Sequence, residues 1–418
     1  MKIDVVTVGT ELVLGLTVDT NAAELGRALA ATGVEVVRHV AVADRAEAIA
    51  AVVSDALART GAVIVTGGLG PTRDDITKRV VAGIFGKPLV RDPGVLQSLE
   101  ARFRRFGRPM PAMNRSQAEI PAGASVLPNP RGTAPGLWIE DMGRLAVLLP
   151  GVPAEMRGLL HEEVLPRLAR RVGAAGAAPV IGSRTVRTTG VPESALAERL
   201  AGIEERLAPL TLASLPGAAG VDLRVTAWAL GADEAAHRLD EAVAALRAVA
   251  GSDAYGEDDA DLAAVVLDLA RARRISLAVA ESCTGGEIAQ RLTAVPGASD
   301  TFLGGVVAYA DRLKTDLLDV PGGLLTTPGA VSEECVRAMV EGARRRLAAG
   351  AAVAVTGIAG PGGGSDEKPV GTVWLAASCG DPATIRTARR LLPGDRGEIR
   401  ARATQAALDL LRRLLTNQ

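Results

Sequence analysis

Short apolar runs alternate with amphipathic stretches along most of this chain, and that alternation limits the folds open to it. From Ile3 to about Arg171, "IDVVTVG", "VEVVRHVAV", "AVIVTGG" and "RLAVLLPG" read as strands. Asp19 to Ala31, Asp44 to Ala58, Asp74 to Phe85, Pro93 to Phe106 and Ala154 to Arg171 read as helices. Parallel strands need a crossover, and a helix is the usual one, so this order predicts a mostly parallel sheet covered on both faces. The pattern returns at the other end. Asp261 to Arg274, Gly285 to Leu292, Glu333 to Ala348 and Glu398 to Leu415 read as helices around the strands "ISLAVAES", "TFLGGVVAYA", "AAVAVTGIAG", "GTVWLAAS" and "TIRTARRLL". Between the two lies a smaller β-α-β-β-α pattern. It runs through "RTVRTTGV", Pro192 to Leu207, "LTLASLP", "VDLRVTAWAL" and Asp233 to Val249. The expected fold class is α/β, with two three-layer α/β/α sandwiches joined by a small α+β module. Val172 to Gly182 and "AGSDAYGEDD" read as linkers, which sets domains at 1–171, 172–252 and 255–418.

Composition excludes several function classes. A net charge of −1 and 2% aromatic residues offer neither a basic field nor stacking platforms, so no direct nucleic-acid partner is expected. No apolar run is long enough for a membrane span, and "MKIDVVTVGTEL" reads as a strand rather than a secretory peptide. The cysteines Cys283, Cys335 and Cys379 are odd in number and irregularly spaced, which fits a reducing cytoplasm. Of 47 basic residues only Lys2, Lys78, Lys87, Lys314 and Lys368 are lysines. Lysine, unlike arginine, can lose its proton when buried.

"AVAESCTGG", Ala278 to Gly286, places a Ser, a Cys and a Thr where an apolar strand ends. A Ser or Cys nucleophile needs a base, most often His. The histidines are His39, His161 and His237, so a His-based site cannot be made within the last segment. Lysine is the remaining base. Lys368 sits in a charged, Gly-rich loop, whereas Lys314 closely follows a strand, with Tyr309 five residues before it. Read from the residues alone, Lys314 is either a surface lysine or a buried base. The Gly285–Gly286 turn is either a plain strand-to-helix connection or an anion site at a helix start.

"AESCTGG", "VPGASDTFLGGVVAYADRLK" and "TGIAGPGGG" resemble the nicotinamide-nucleotide amidase domain (PncC), found alone or at the C-terminus of CinA-type competence/damage-inducible proteins. The resemblance runs from about Leu262 to the C-terminus. It implies hydrolysis of the carboxamide of nicotinamide mononucleotide without a cofactor. The implied nucleophile is Ser299, with Lys314 as base and Tyr309 beside it. Cys283 is then not the nucleophile, and Ser282, Thr284, Gly285, Gly286, Thr356, Gly357 and Arg396 are expected to bind substrate. Asp311 stands where amidase relatives often have Asn; a carboxylate close to Lys314 would favour the protonated amine.

"TGGLGPTRDDIT", Thr66 to Thr77, also follows a strand, and its glycines let backbone approach a phosphate. With "GTEL", "LPNPRGTAPG" and "LPGVPAEM" it resembles the N-terminal domain of CinA, a relative of the MoaB/MogA fold. The resemblance implies ADP-ribose hydrolysis with a divalent metal. Phosphate contacts are expected at Gly67, Gly68, Gly70 and Thr72, and further nucleotide contacts at Asn129, Thr133 and Glu155. Metal or acid roles fall to Glu11, Asp74 and Asp75. Alternatively the domain binds a molybdopterin. The middle segment resembles the KH-type module of full-length CinA, though its G-x-x-G, Gly217 to Gly220, reads better as a hairpin. The family also implies a homodimer. A non-catalytic role in competence or recombination is the reading from a different class.

Overall fold

The computed structural model describes residues 1–173 and 180–416. The chain divides into two compact units, residues 1–182 with 227–237 and residues 183–226 with 238–418.

In the first unit the strands are β1 (Lys2–Val8), β2 (Glu35–Val42), β3 (Ala62–Thr66), β4 (Leu89–Arg91), β5 (Glu119–Pro121), β6 (Ser125–Leu127), β7 (Gly136–Asp141) and β8 (Arg144–Leu149). Six of them form one sheet in the order β2-β1-β3-β8-β7-β6. The first four are parallel and the last two antiparallel. The antiparallel pairing follows from a two-residue turn, Met142–Gly143, in which both residues have positive φ. Side chains alternate between two cores. Ile64 of β3 packs with Leu25, Leu29 and Leu160 on one face, while Val63 and Val65 pack with Ile49, Val53 and Val81 on the other. β4 and β5 form a separate ribbon.

The second unit holds most of the small module and the C-terminal sandwich. Strands β9 (Val180–Thr188), β10 (Thr211–Gly217), β11 (Gly220–Leu230) and β12 (Ala254–Glu257) form a sheet in the order β10-β11-β9-β12. Gly217 pairs with Gly220 across the β10–β11 turn, so this G-x-x-G is a hairpin. β12 lies inside the stretch expected to be a linker; it pairs antiparallel with β9 and buries Tyr255. The other expected linker, Val172 to Gly182, falls partly outside the described residues.

The sandwich is built on β13 (Leu277–Glu281), β14 (Phe302–Val307), β15 (Ala351–Gly357), β16 (Thr372–Cys379) and β17 (Thr384–Leu391), in the order β14-β13-β15-β16-β17. The three members β14, β13 and β15 are parallel. β15, "AAVAVTG", shows why both faces are covered. Val353 and Val355 pack under the helices Leu262–Ala272 and Arg396–Thr416, and Ala352 and Ala354 under Glu333–Arg346. Ser332 caps that last helix, its Oγ accepting from Cys335 N at 3.2 Å.

Candidate active site

In a parallel sheet, side chains just beyond the strands' C-terminal ends converge on one crevice. The ends of β13, β14 and β15 do this here. Ser282 and Cys283 follow β13, Tyr309, Asp311 and Lys314 follow β14, and Thr356 and Gly357 close β15. Together with Ala330, Val331, Ala359 and Arg396 they line a cavity of about 190 Å³.

Lys314 is 1% exposed, the bulkiest of the fully buried side chains. Its Nζ donates to the carbonyl of Tyr309 at 3.3 Å and to Asp311 Oδ1 at 3.1 Å. The surface-lysine reading therefore fails, and the carboxylate noted in the sequence is in direct contact with the amine. Tyr309 is exposed at the mouth, where Arg396 Nη2 donates to its hydroxyl at 2.8 Å and Arg396 Nη1 to Gly360 O at 2.6 Å. Thr356 Oγ1 donates to Ala330 O at 2.9 Å. Burial pushes the Cys283 thiol up to about 12, so it is protonated at neutral pH and a poor nucleophile.

Two expectations are corrected. Ser299 does not line this cavity. It lies in the turn Ala298–Asp300, before β14 begins, whereas Tyr309 and Lys314 come after β14 ends. A strand of this length carries the chain roughly 20 Å along the sheet. Within one chain Ser299 and Lys314 are therefore at opposite ends. Ser282 is the serine that lines the cavity with Lys314. No protein hydrogen bond engages its hydroxyl among the described residues.

The second correction concerns Thr284, Gly285 and Gly286, which do not line the cavity. The anion at this helix start is the chain's own. Glu281 is fully buried, and its Oε2 accepts from Thr284 Oγ1 at 2.6 Å, Gly286 N at 3.0 Å and Ile288 N at 3.1 Å. Its Oε1 accepts from Ala289 N at 2.8 Å. The glycines serve this cradle, with φ of +64° and +99°. Glu281 was missed as a structural ligand because it sits in a strand run, where only the fold turns it toward the helix start. Among the described residues, the N–H groups of Cys283 and Thr284 make no backbone hydrogen bond.

The first unit carries a second site, again past strand ends. Gly67 follows β3, and a Cβ there would come within 2.1 Å of Val8 O, so only glycine fits. Gly68, Gly70 and Thr72 line a cavity of about 280 Å³ with Asp75, Lys78, Ser116 and Glu119; Gly67, expected to share in the phosphate contacts, does not line it. Asn129 and Thr133 line a different cavity of about 980 Å³, beside Arg102 and Phe106. The two are linked through neighbours: Ser116 lines the small cavity, and Gln117 Nε2 donates to Thr133 Oγ1 at 3.2 Å. Glu155 lines neither, its carboxylate accepting from Asn129 Nδ2 at 2.6 Å.

The expected metal ligands are not gathered. Among the described residues no group of three or more His, Cys, Asp or Glu side chains could hold a metal ion. Asp75 Oδ2 is engaged by Thr72, accepting from its N–H at 2.8 Å and its hydroxyl at 2.5 Å. Asp74 is exposed, and neither it nor Glu11 lines the small cavity. Asp74 and Asp75 also do not begin the helix, which starts at Thr77. The residues present thus do not make a preformed cation site. Lys78 is the functional candidate that motif reading left unassigned; its rarity in an Arg-rich chain was the signal.

Fold and sites together define an α/β protein with separate ligand cavities at strand ends in two units. Three family models match in order. "Probable molybdopterin binding domain" covers residues 4–170, "Damage-inducible protein CinA KH domain" 183–256 and "CinA C-terminal domain" 259–415. A CinA-like protein of Gemmatimonas aurantiaca is 53% identical over 421 residues, spanning 100% of this chain and 97% of its own. One from Gloeobacter violaceus is 45% identical over 417 residues, spanning 99% and 96%. A competence/damage inducible protein of known structure from Agrobacterium tumefaciens is 42% identical, covering 38% of this chain and 94% of its own, with a TM-score of 0.36. The chain belongs to the CinA family.

Proposed function

We propose that the second unit hydrolyses the carboxamide of nicotinamide mononucleotide to nicotinate mononucleotide and ammonia. The observation that carries this reading is the buried Lys314 amine in a cavity it shares with Ser282, in a segment without histidine. Ser282 Oγ attacks the carboxamide carbon as its proton passes to the Lys314 amine, which acts as the base. The backbone N–H of Cys283, a residue that lines the cavity, receives the oxyanion. Lys314 returns the proton to the leaving nitrogen, ammonia departs, and water then frees the acyl group as the carboxylate. Arg396 and Tyr309, at the mouth, suit the nucleotide phosphate. No bound metal takes part in these steps.

Ser299 serves as nucleophile only if a second copy of the chain brings it to the cavity. The test is ammonia release from nicotinamide mononucleotide by wild type, Ser282→Ala, Ser299→Ala and Lys314→Ala. Loss with Ser282→Ala and Lys314→Ala but not Ser299→Ala supports the scheme. No release by folded wild type would sink the amidase reading and favour a non-catalytic role in competence.

For the first unit we infer binding of a nucleotide pyrophosphate such as ADP-ribose, supported by the paired small and large cavities. A phosphate-bearing pterin is the second reading, favoured by the family model matched there. Competition between ADP-ribose and a pterin phosphate for the full-length protein would separate them.

A further inference from the structure

We propose that Lys78 is the cationic contact for a phosphate group in the small cavity of the first unit, which thereby takes the pyrophosphate of a nucleoside-diphosphate compound. This rests on the nucleotide reading of that unit. Lys78 stands in the first turn of the helix Thr77–Ile84. Its Nζ donates to Ser116 O at 2.7 Å, and among the described residues it has no ion-pair partner. An ammonium has three donors, so two remain for an anion. Lys78 is half-buried, and among the described residues no carboxylate lies within ion-pair distance of its amine, so a bound phosphate would supply the missing counter-charge.

The loop opposite is equally uncommitted. Among the described residues, the N–H groups of Gly68, Leu69 and Gly70 make no hydrogen bond, and all three residues line the same cavity. Successive free amides of this kind favour anions. Thr77 does not line the cavity; its buried hydroxyl lies against Gly68, where a Cβ would come within 2.1 Å of it, so only glycine fits at that point of the loop. The carboxylates that face the cavity do not fill the role. Asp75 is held by Thr72, and Glu119 acts on Lys78 only from beyond ion-pair distance. Arg73 and Arg79 also line it and add positive charge.

Burial, its largest influence, pulls the Lys78 amine down from 10.5 to about 8; Arg79 pulls the same way, and Glu119 and Asp75 oppose. A phosphate contact would favour the charged form, so binding should take up protons near that pH. The experiment is calorimetric titration of the full-length protein with ADP-ribose, in EDTA, from pH 7 to 9, in buffers of different ionisation enthalpy. The ADP-ribose pyrophosphate does not titrate in this interval. Wild type should lose about tenfold in affinity across it and take up about half a proton at pH 8. Lys78→Arg should bind with a flat profile, and Lys78→Met should bind at least about tenfold more weakly, also with a flat profile. Circular dichroism confirms that each variant is folded. If wild type binds but folded Lys78→Met binds as well, with the same pH slope, Lys78 is not the contact. If wild type does not bind at all, the nucleotide reading of the unit fails along with it.

Discussion

At the scale of single residues, the site proposed to act as an amidase turns on what surrounds one amine. Lys314→Arg keeps charge and hydrogen bonding but cannot act as a base, so turnover should fall about a thousandfold while the fold is retained. Ammonia release from nicotinamide mononucleotide reads this directly. Asp311 sits 3.1 Å from that amine and forms an ion pair with it. Asp311→Asn keeps an acceptor and removes the charge. If the proposed amidase reading holds, it is expected to raise turnover at neutral pH severalfold, and an unchanged rate would show that the pair does not limit the reaction. The motifs made Lys314 and Tyr309 legible, because a rare Lys at fixed spacing after a strand is a local pattern. They also set Ser299 with Lys314, and within one chain the cavity does not include Ser299. Ser299 and Lys314 are near in sequence only because the count ignores the strand between them.

Among the elements, the C-terminal helix Arg396–Thr416 is tied to the small module by ion pairs. Arg412 and Asp409 are 8% and 9% exposed and paired at 2.7 Å, and Arg412 also donates to Ser252 O at 2.6 Å. Asp409→Ala leaves a buried guanidinium without its carboxylate and should cost about 3 kcal/mol, measured by urea unfolding. Burial raises the Asp253 carboxyl, but Arg413 and Arg199 outweigh it and hold it below its ordinary 3.8. Because the folded value is depressed, this contribution is full above about pH 4 and is lost as pH falls through the folded value. Arg413→Ala with Arg199→Ala should therefore flatten the acid limb of the unfolding midpoint plotted against pH. Most strands and helices of both sandwiches were legible from periodicity, though β6, β7 and the helix Asp311–Leu318 were not read from it. The strand inside "AGSDAYGEDD" was not, since its pairing with β9 is a long-range contact in a polar, Gly-containing stretch.

For the whole molecule, two compact units predict more than one unfolding transition by calorimetry. ADP-ribose should raise only the transition of the first unit and nicotinamide mononucleotide only that of the second, since each ligand stabilises the unit that binds it. A single transition raised equally by both would show that the units unfold together. Assembly bears on Ser299 as well. Should Ser299→Ala be inactive and regain activity when mixed with Lys314→Ala, the nucleophile would come from a second copy. The cavity in one chain predicts instead that Ser299→Ala alone stays active.

The sequence by itself determined the layers, because side-chain periodicity decides which faces are buried before any long-range contact forms. It also determined where the two sites lie, since both follow apolar strands and Gly-rich turns. Only the tertiary structure decided who occupies them. It gave the helix start after "SCTGG" to Glu281, placed Ser282 and Lys314 in one cavity, bound Asp75 to its own loop and set the Lys78 amine against Ser116 O. These are facts of direction and distance between segments far apart in the chain, and no local pattern encodes them.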